Sequence, residues 1–165
     1  VIGPTPFTAW QTVLDPLLTP GFRNYWKSHD FTEVSDGLID VLISRARRIP
    51  DPQTEIAFAF LGEGATKVAK EATAYTHRDA QFVLNVHGRW DNPANDEKCI
   101  GWARELFQAA APFATGGAYV NFMTQEEQDR VRSAYGSNFG RLATLKKKYD
   151  PNNLFRLNQN IQPAG

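Results

Sequence analysis

Apolar positions recur with a period of two in several short stretches and with a helical period in others, and the two kinds alternate along the chain. Glu55 to Leu61 is the clearest strand. Ile56, Phe58 and Phe60 point one way, Ala57, Ala59 and Leu61 the other, so both faces are apolar and the strand is expected to be covered on both sides. Phe22 to Phe31, Phe82 to Trp90 and Gly117 to Phe122 read as further strands. Ser35 can cap a helix with the apolar stripe Leu38, Leu42, Ala46 and Ile49, stopped by Pro50 and Pro52. Asp91 or Asn92, with Pro93 in the first turn, opens a long helix lined inwardly by Ile100, Ala103, Phe107 and Ala110. A short helix is expected within Thr66 to Thr73. Thr124 and Glu127 have capping-box spacing for another, with Gly136 as its C′ residue, and a last helix places Phe139, Leu142, Leu145 and Tyr149 near one face. The proline-rich first twenty residues read as irregular with one helical turn at most. The expected fold is α+β: an antiparallel sheet covered on one face by helices.

The polar positions on two strands carry the chemistry worth weighing. Opposite the apolar face of Phe82, Leu84 and Val86 stand Val83, Asn85, His87 and Arg89. On the strand expected at Gly117 to Phe122, Tyr119 and Asn121 share the side away from Ala118, Val120 and Phe122. Such rows can simply face water, as one side of an antiparallel sheet often does. The tail is unusual in another way. After Asp150-Pro151 stops the last helix, Asn152, Asn153, Asn158, Gln159 and Asn160 offer many amide groups, with only Leu154, Phe155, Leu157 and Ile161 to bury. The plain account is an Asx-rich loop that caps its own backbone; the other is a grip on a polar partner.

Composition narrows the classes. One domain is natural for 165 residues, and 42% hydrophobic with 12% aromatic residues suffice for a core. Eighteen basic and eighteen acidic residues cancel, which leaves no footprint for nucleic acid. The clusters Arg45, Arg47, Arg48 and Lys146 to Lys148 sit at helix C-termini, where the dipole favours cations. No apolar run is long enough to span a membrane and no signal peptide opens the chain, so a soluble protein is expected, cytoplasmic rather than secreted. The single cysteine, Cys99, rules out an internal disulfide, and His29, His77 and His87 lack metal-ligand spacing. There is no nucleophile elbow and no dinucleotide-binding glycine fingerprint.

The tail Tyr149-Asp-Pro-Asn-Asn-Leu-Phe-Arg-Leu-Asn-Gln-Asn-Ile-Gln-Pro163 resembles the C-terminal motif of berberine bridge enzyme-like FAD-linked oxidases of the vanillyl-alcohol oxidase superfamily. Tyr25-Trp26-Lys27-Ser28, His77-Arg78-Asp79-Ala80, Trp102-Ala103-Arg104, Gly116 to Phe122 and Val131 to Gly136 resemble that family too, in the same order. The resemblance implies that residues 1–165 are the C-terminal part of a substrate domain, with the motif at 148–163. It further implies a partner N-terminal FAD-binding domain, of which nothing here has the look. The chain starts at Val1 and its only methionine is Met123, so it reads as a piece of a longer parent. That parent is expected to oxidise an alcohol, sugar or similar small molecule, with hydride passing to the flavin. The free sheet face would lie towards the flavin domain. The resemblance makes Tyr119 the candidate base and Asn121, Asn158 and Gln159 candidate FAD contacts, Asn158 being replaced by an acidic residue in some branches. Asn85, His87 and Arg89 are the candidate substrate contacts, and Lys27, Arg89 or a residue of the absent domain the candidate cationic neighbour for the phenol. The isolated chain is expected to bind flavin weakly and turn nothing over. Two competing readings are a non-catalytic α+β binding or oligomerisation module, and an unrelated enzyme using His87 and Tyr119 without flavin.

Overall fold

The computed structural model describes residues 3–165. Its centre is a three-stranded antiparallel sheet built from β1 (Arg23–Phe31), β2 (Glu55–Phe60) and β3 (Phe82–Trp90), in the order β1-β3-β2. Phe31 pairs with Phe82 and Trp90 with Arg23 at the two ends of β1, while Glu55 stands opposite His87. A short N-terminal helix α1 (Phe7–Gln11) precedes the sheet, and α2 (Asp36–Ala46) and α4 (Asp96–Ala110) pack against it. Between β2 and β3 lies α3 (Gly62–Thr66). The chain closes with α5 (Val131–Tyr135) and α6 (Phe139–Tyr149).

Helices cover one sheet face, as the alternation requires. Phe31, Leu84, Val86 and Trp90 meet Leu38 of α2 and Cys99, Trp102, Ala103, Leu106 and Ala110 of α4 in one apolar core. Ser35 caps α2 through its hydroxyl, which accepts the Leu38 amide at 3.3 Å. Asn92 instead caps a single 3-10 turn, Pro93–Asn95, that leads into α4. The buried stripe of α4 accordingly runs through Cys99, Trp102 and Leu106, with Ile100 and Phe107 at its margin.

Four expectations are corrected. β2 is an edge strand rather than one covered on both sides: Ala57 and Ala59 face outward and Phe60 is 67% exposed. The short helix falls at Gly62–Thr66, before the stretch expected to hold it. Gly117 to Phe122 is no strand. Tyr119 is extended, but Val120–Phe122 closes a 3-10 turn, because the outer carbonyls of β1 are already taken. Thr115 donates its amide to the Asp30 carbonyl at 2.9 Å and Arg130 its guanidinium to that of Ser28 at 3.3 Å, which leaves no ladder to join. On α6 only Ala143 is buried, and Tyr149 stands 72% exposed.

The segment after the turn is fastened to β1 by charge. Glu127 reaches back to the Thr124 amide at 3.1 Å, and Gln125–Arg130 winds as a 3-10 helix into α5, whose end is turned by Gly136 at φ 48°. Buried Lys27 holds Glu126 at 2.7 Å and Glu127 at 3.3 Å; Arg104 holds Glu126 from α4 at 2.5 Å. Although partial burial pushes the Glu126 carboxyl up, hydrogen bonds from Lys27, Tyr25 and Arg104 hold it down at about 2. The tail is fastened as well. Asp150 accepts the amides of Leu154 and Phe155 at 2.7 and 3.0 Å, and Asn153 and Asn158 adopt positive φ, the Asx-type capping that the plain account of this stretch foresees.

Candidate active site on the open sheet face

Side chains on β1 and β3 alternate, so the residues opposite the core share the other face: Asn24, Trp26, Ser28 and Asp30 beside Val83, Asn85, His87 and Arg89. Irregular segments cover both ends of this face, while Ala57, Ala59 and the half-buried Trp26 and Asn85 stay open between them. At one end a cavity of about 380 Å³ is floored by Ala59, Leu61 and Val83 and walled by Tyr75, Arg78, Tyr119 and Phe122. It is predominantly apolar, with two phenols and one guanidinium as its polar groups.

Tyr119 and Asn121 do come together, though by a turn rather than by strand pleat: the Asn121 amide donates to the Tyr119 hydroxyl at 3.0 Å. Asn121 is exposed and keeps its carbonyl oxygen and a second N–H for another partner. Tyr119 lies edge-on to Phe122 at 5.0 Å and to Tyr75 at 6.2 Å. Neither Lys27 nor Arg89 is its neighbour. Lys27 is spent on the helix-covered face, and Arg89 at the far end of β3 donates to the carbonyls of Leu17 and Thr19.

The remaining candidates divide by their hydrogen bonds. The Asn85 side-chain oxygen is buried and has no hydrogen-bond partner among the described residues. His87 is buried, stacked on Trp26 at 4.5 Å, with both ring nitrogens engaged, one to Glu55 at 3.1 Å and the other to Asn24 at 2.9 Å. Burial pushes its imidazole below the usual range. Arg89 is buried, and its guanidinium ties the N-terminal segment to the sheet. Gln159 donates its amide to the Met123 carbonyl at 2.8 Å and so braces the turn from behind, while Asn158 is exposed beside it.

Sequence reading missed Tyr75, Arg78 and Asp30. Tyr75 and Arg78 come from the irregular stretch before β3, which has no period to place them. Arg78 stacks over Tyr75 at 4.9 Å and is held by the Ala65 carbonyl and the Thr73 hydroxyl. The Tyr75 hydroxyl has no partner; burial first, then the Asp30 charge, pushes it up to about 12. Asp30 is wholly buried with neither carboxylate oxygen hydrogen-bonded, and desolvation pushes it up to about 6 against the pull of His77 and Arg130. Its signal was the strand alternation itself, which puts position 30 on the same face as 26 and 28. Among the described residues no cluster of three His, Cys, Asp or Glu side chains is placed for a metal, and no helix is long and apolar enough to cross a membrane.

The sequence and the fold are similar to those of a known family. Residues 118–162 match the family model described as berberine and berberine like. The uncharacterized FAD-linked oxidoreductase YgaK of Bacillus subtilis is 30% identical over 168 residues, which is 99% of this chain and 36% of that protein. The carbohydrate oxidase of Microdochium nivale is 34% identical over 107 residues, 60% of this chain and 21% of that one. The structure of berberine bridge enzyme-like protein 28 from Arabidopsis thaliana superposes with a TM-score of 0.78 at 20% identity, over 88% of this chain and 34% of its own, and shares the fold. The chain belongs to the berberine bridge enzyme-like family. It spans about a third of the length of the curated relatives that head the comparison.

Proposed function

We propose that this chain is the substrate-domain portion of an FAD-linked oxidoreductase acting on a hydroxylated small molecule, with carbohydrates the first class to test given the similarity to a carbohydrate oxidase. The observation that carries the reading is the sheet face left free of helices, where Tyr119 lines an apolar cavity and receives the Asn121 amide on its hydroxyl. The residues present fit a flavin. A flat ring suits the apolar floor, and the spare carbonyl and N–H of Asn121 suit a ring edge that carries both acceptors and donors. When bound, the flavin would supply the oxidising power for removal of a substrate C–H. An N-terminal FAD-binding domain is the natural partner for this face.

Within that reading each side chain has a task. Tyr119 takes the substrate hydroxyl proton as general base. Asn121 orients the Tyr119 hydroxyl through its 3.0 Å hydrogen bond and uses its remaining amide capacity on the cofactor. Asn85, half-buried on the same sheet face, is the candidate contact for a substrate hydroxyl. His87, fixed by Glu55, Asn24 and Trp26, presents its ring as a rigid wall beside Asn85. Asn158 is the tail's free amide for the cofactor, and Gln159 keeps the turn in place. The test is flavin reduction by sugar substrates in the flavin-loaded full-length enzyme. Tyr119→Phe is expected to slow reduction by about 10²–10⁴-fold with little change in substrate affinity. Reduction at the parent rate would remove Tyr119 as base.

A further inference from the structure

Among the described residues Arg78 is a cation with no carboxylate within 4.0 Å, since Asp79, its neighbour in sequence, pairs with Lys70 at 3.4 Å instead. It stands in the irregular stretch between α3 and β3, its guanidinium stacked over the Tyr75 ring at 4.9 Å. Nη1 donates to the Ala65 carbonyl at 2.9 Å and Nη2 to the Thr73 hydroxyl at 2.5 Å. Each of these nitrogens keeps a second N–H. Two neutral oxygens hold the side chain still, but they do not cancel its charge.

The place of this charge is what makes it informative. Of the residues that line the sheet-face cavity Arg78 alone is charged; Ala59, Leu61, Val83 and Phe122 are apolar, and Tyr75 and Tyr119 are phenols. The opposing charges that act on Tyr75, Asp30 and Asp79, lie outside that lining. A half-buried cation among apolar side chains is screened less than one on the surface, so it attracts an anion more strongly. Tyr75 packs against both Arg78 and Tyr119, the latter edge-on at 6.2 Å. A small molecule that brings a hydroxyl to Tyr119 therefore also enters the field of Arg78. A clamp on Ala65 and Thr73 needs only donors, which a neutral amide supplies without the cost of half-burying a charge.

We propose that Arg78 sets the specificity of this site: the substrate is a sugar acid, whose carboxylate binds the remaining N–H groups of Arg78 while one of its hydroxyls meets Tyr119. This rests on the reading of the cavity as the substrate site and narrows its carbohydrate class to the anionic members. A carboxylate matches the charge of the guanidinium and its planar set of donors. A neutral sugar offers only hydroxyl oxygens there and leaves the charge uncompensated. Arg78 takes no part in proton transfer. Its hold on the carboxylate is the same before and during the reaction, so it acts on substrate affinity and not on kcat.

D-Glucuronate and D-glucose provide the test, since they differ only in a carboxylate where glucose has a hydroxymethyl group. In the flavin-loaded full-length enzyme kcat/KM is expected to be about 10–100-fold higher for glucuronate, with the difference in KM. Calorimetric titration of the same enzyme, reduced and kept without oxygen so that neither sugar is oxidised, is expected to show the same preference. Arg78→Gln, which keeps an amide donor but no charge, is expected to bring the glucuronate-to-glucose ratio close to one, and Arg78→Lys to restore part of it. Equal handling of the two sugars by the parent enzyme overturns the proposal, and so does a ratio that Arg78→Gln leaves where it was, the mark of a structural clamp. If glucose is oxidised without any preference for glucuronate and Tyr119→Phe still slows its reduction of the flavin, the anion selectivity alone is lost. If neither sugar binds or reduces the flavin, the selectivity and the carbohydrate reading fall together.

Discussion

At the scale of the residue, the most informative side chain is one that makes no hydrogen bond. Asp30 holds its proton more tightly in the folded chain, at about 6, than an unfolded aspartate does near 3.9, because burial penalises its charge. Between those values the native state binds more protons than the unfolded state, so stability falls as pH rises from about 4 to 6 and stays lowered above. Asp30→Asn is expected to flatten the curve in that window and to raise stability near pH 7.5 by on the order of 1–3 kcal/mol, measured by urea unfolding. A loss of stability at pH 7.5 would count against this account of the carboxylate. Leu106, fully buried in α4, is the ordinary case beside it. Leu106→Ala leaves a cavity in the core and should cost about 2–4 kcal/mol by the same measurement.

At the scale of the element, the turn that carries Tyr119 and Asn121 is held in place by ionic contacts along the edge of β1. Lys27, 5% exposed, depends on Glu126 and Glu127, and Glu127 in turn binds Arg130 and the Thr124 amide. Removing one partner of a buried pair strands the other charge, at a cost of about 3–5 kcal/mol when no second partner is at hand. With Glu126 still present, Glu127→Ala should cost about 2–3 kcal/mol and accelerate hydrogen exchange at Thr124 and Arg130 more than at the β3 amides. Uniform acceleration across sheet and turn would show that the turn is no separate unit. The tail behaves differently. Phe155 and Leu157 are 78% and 87% exposed, so Phe155→Ser with Leu157→Ser should change the stability of the isolated chain by less than about 0.5 kcal/mol, read from its urea midpoint.

At the scale of the whole molecule, the sheet has one finished face and one unfinished face. The first holds the core; the second shows open alanines, an unpartnered Asn85 oxygen and an apolar cavity. Such a surface suits a partner that is flat on one side and polar at its edge, which is the basis for placing a flavin against it. The isolated chain with added FAD is expected to show no sugar-dependent oxygen consumption, since this face contributes only one wall of the site. Steady turnover by the chain alone would overturn that division of labour.

Much of this was legible in the residues. The alternation of Phe82 to Trp90 named both its core face and its polar face, Ser35 announced the start of α2, and the tail motif with Tyr-x-Asn pointed to the family, because each is a local pattern whose period or cap is written in neighbouring positions. The rest depended on contacts between distant segments. Whether Gly117 to Phe122 could be a strand turned on the β1 carbonyls being already occupied by Thr115 and Arg130. Arg89 ties down the N-terminal segment because that segment offers it carbonyls, and β2 is an edge because, among the described residues, no further strand pairs with it. Asp30, His77 and Gly117 come into one neighbourhood only through folding, since no sequence period relates positions 30, 77 and 117.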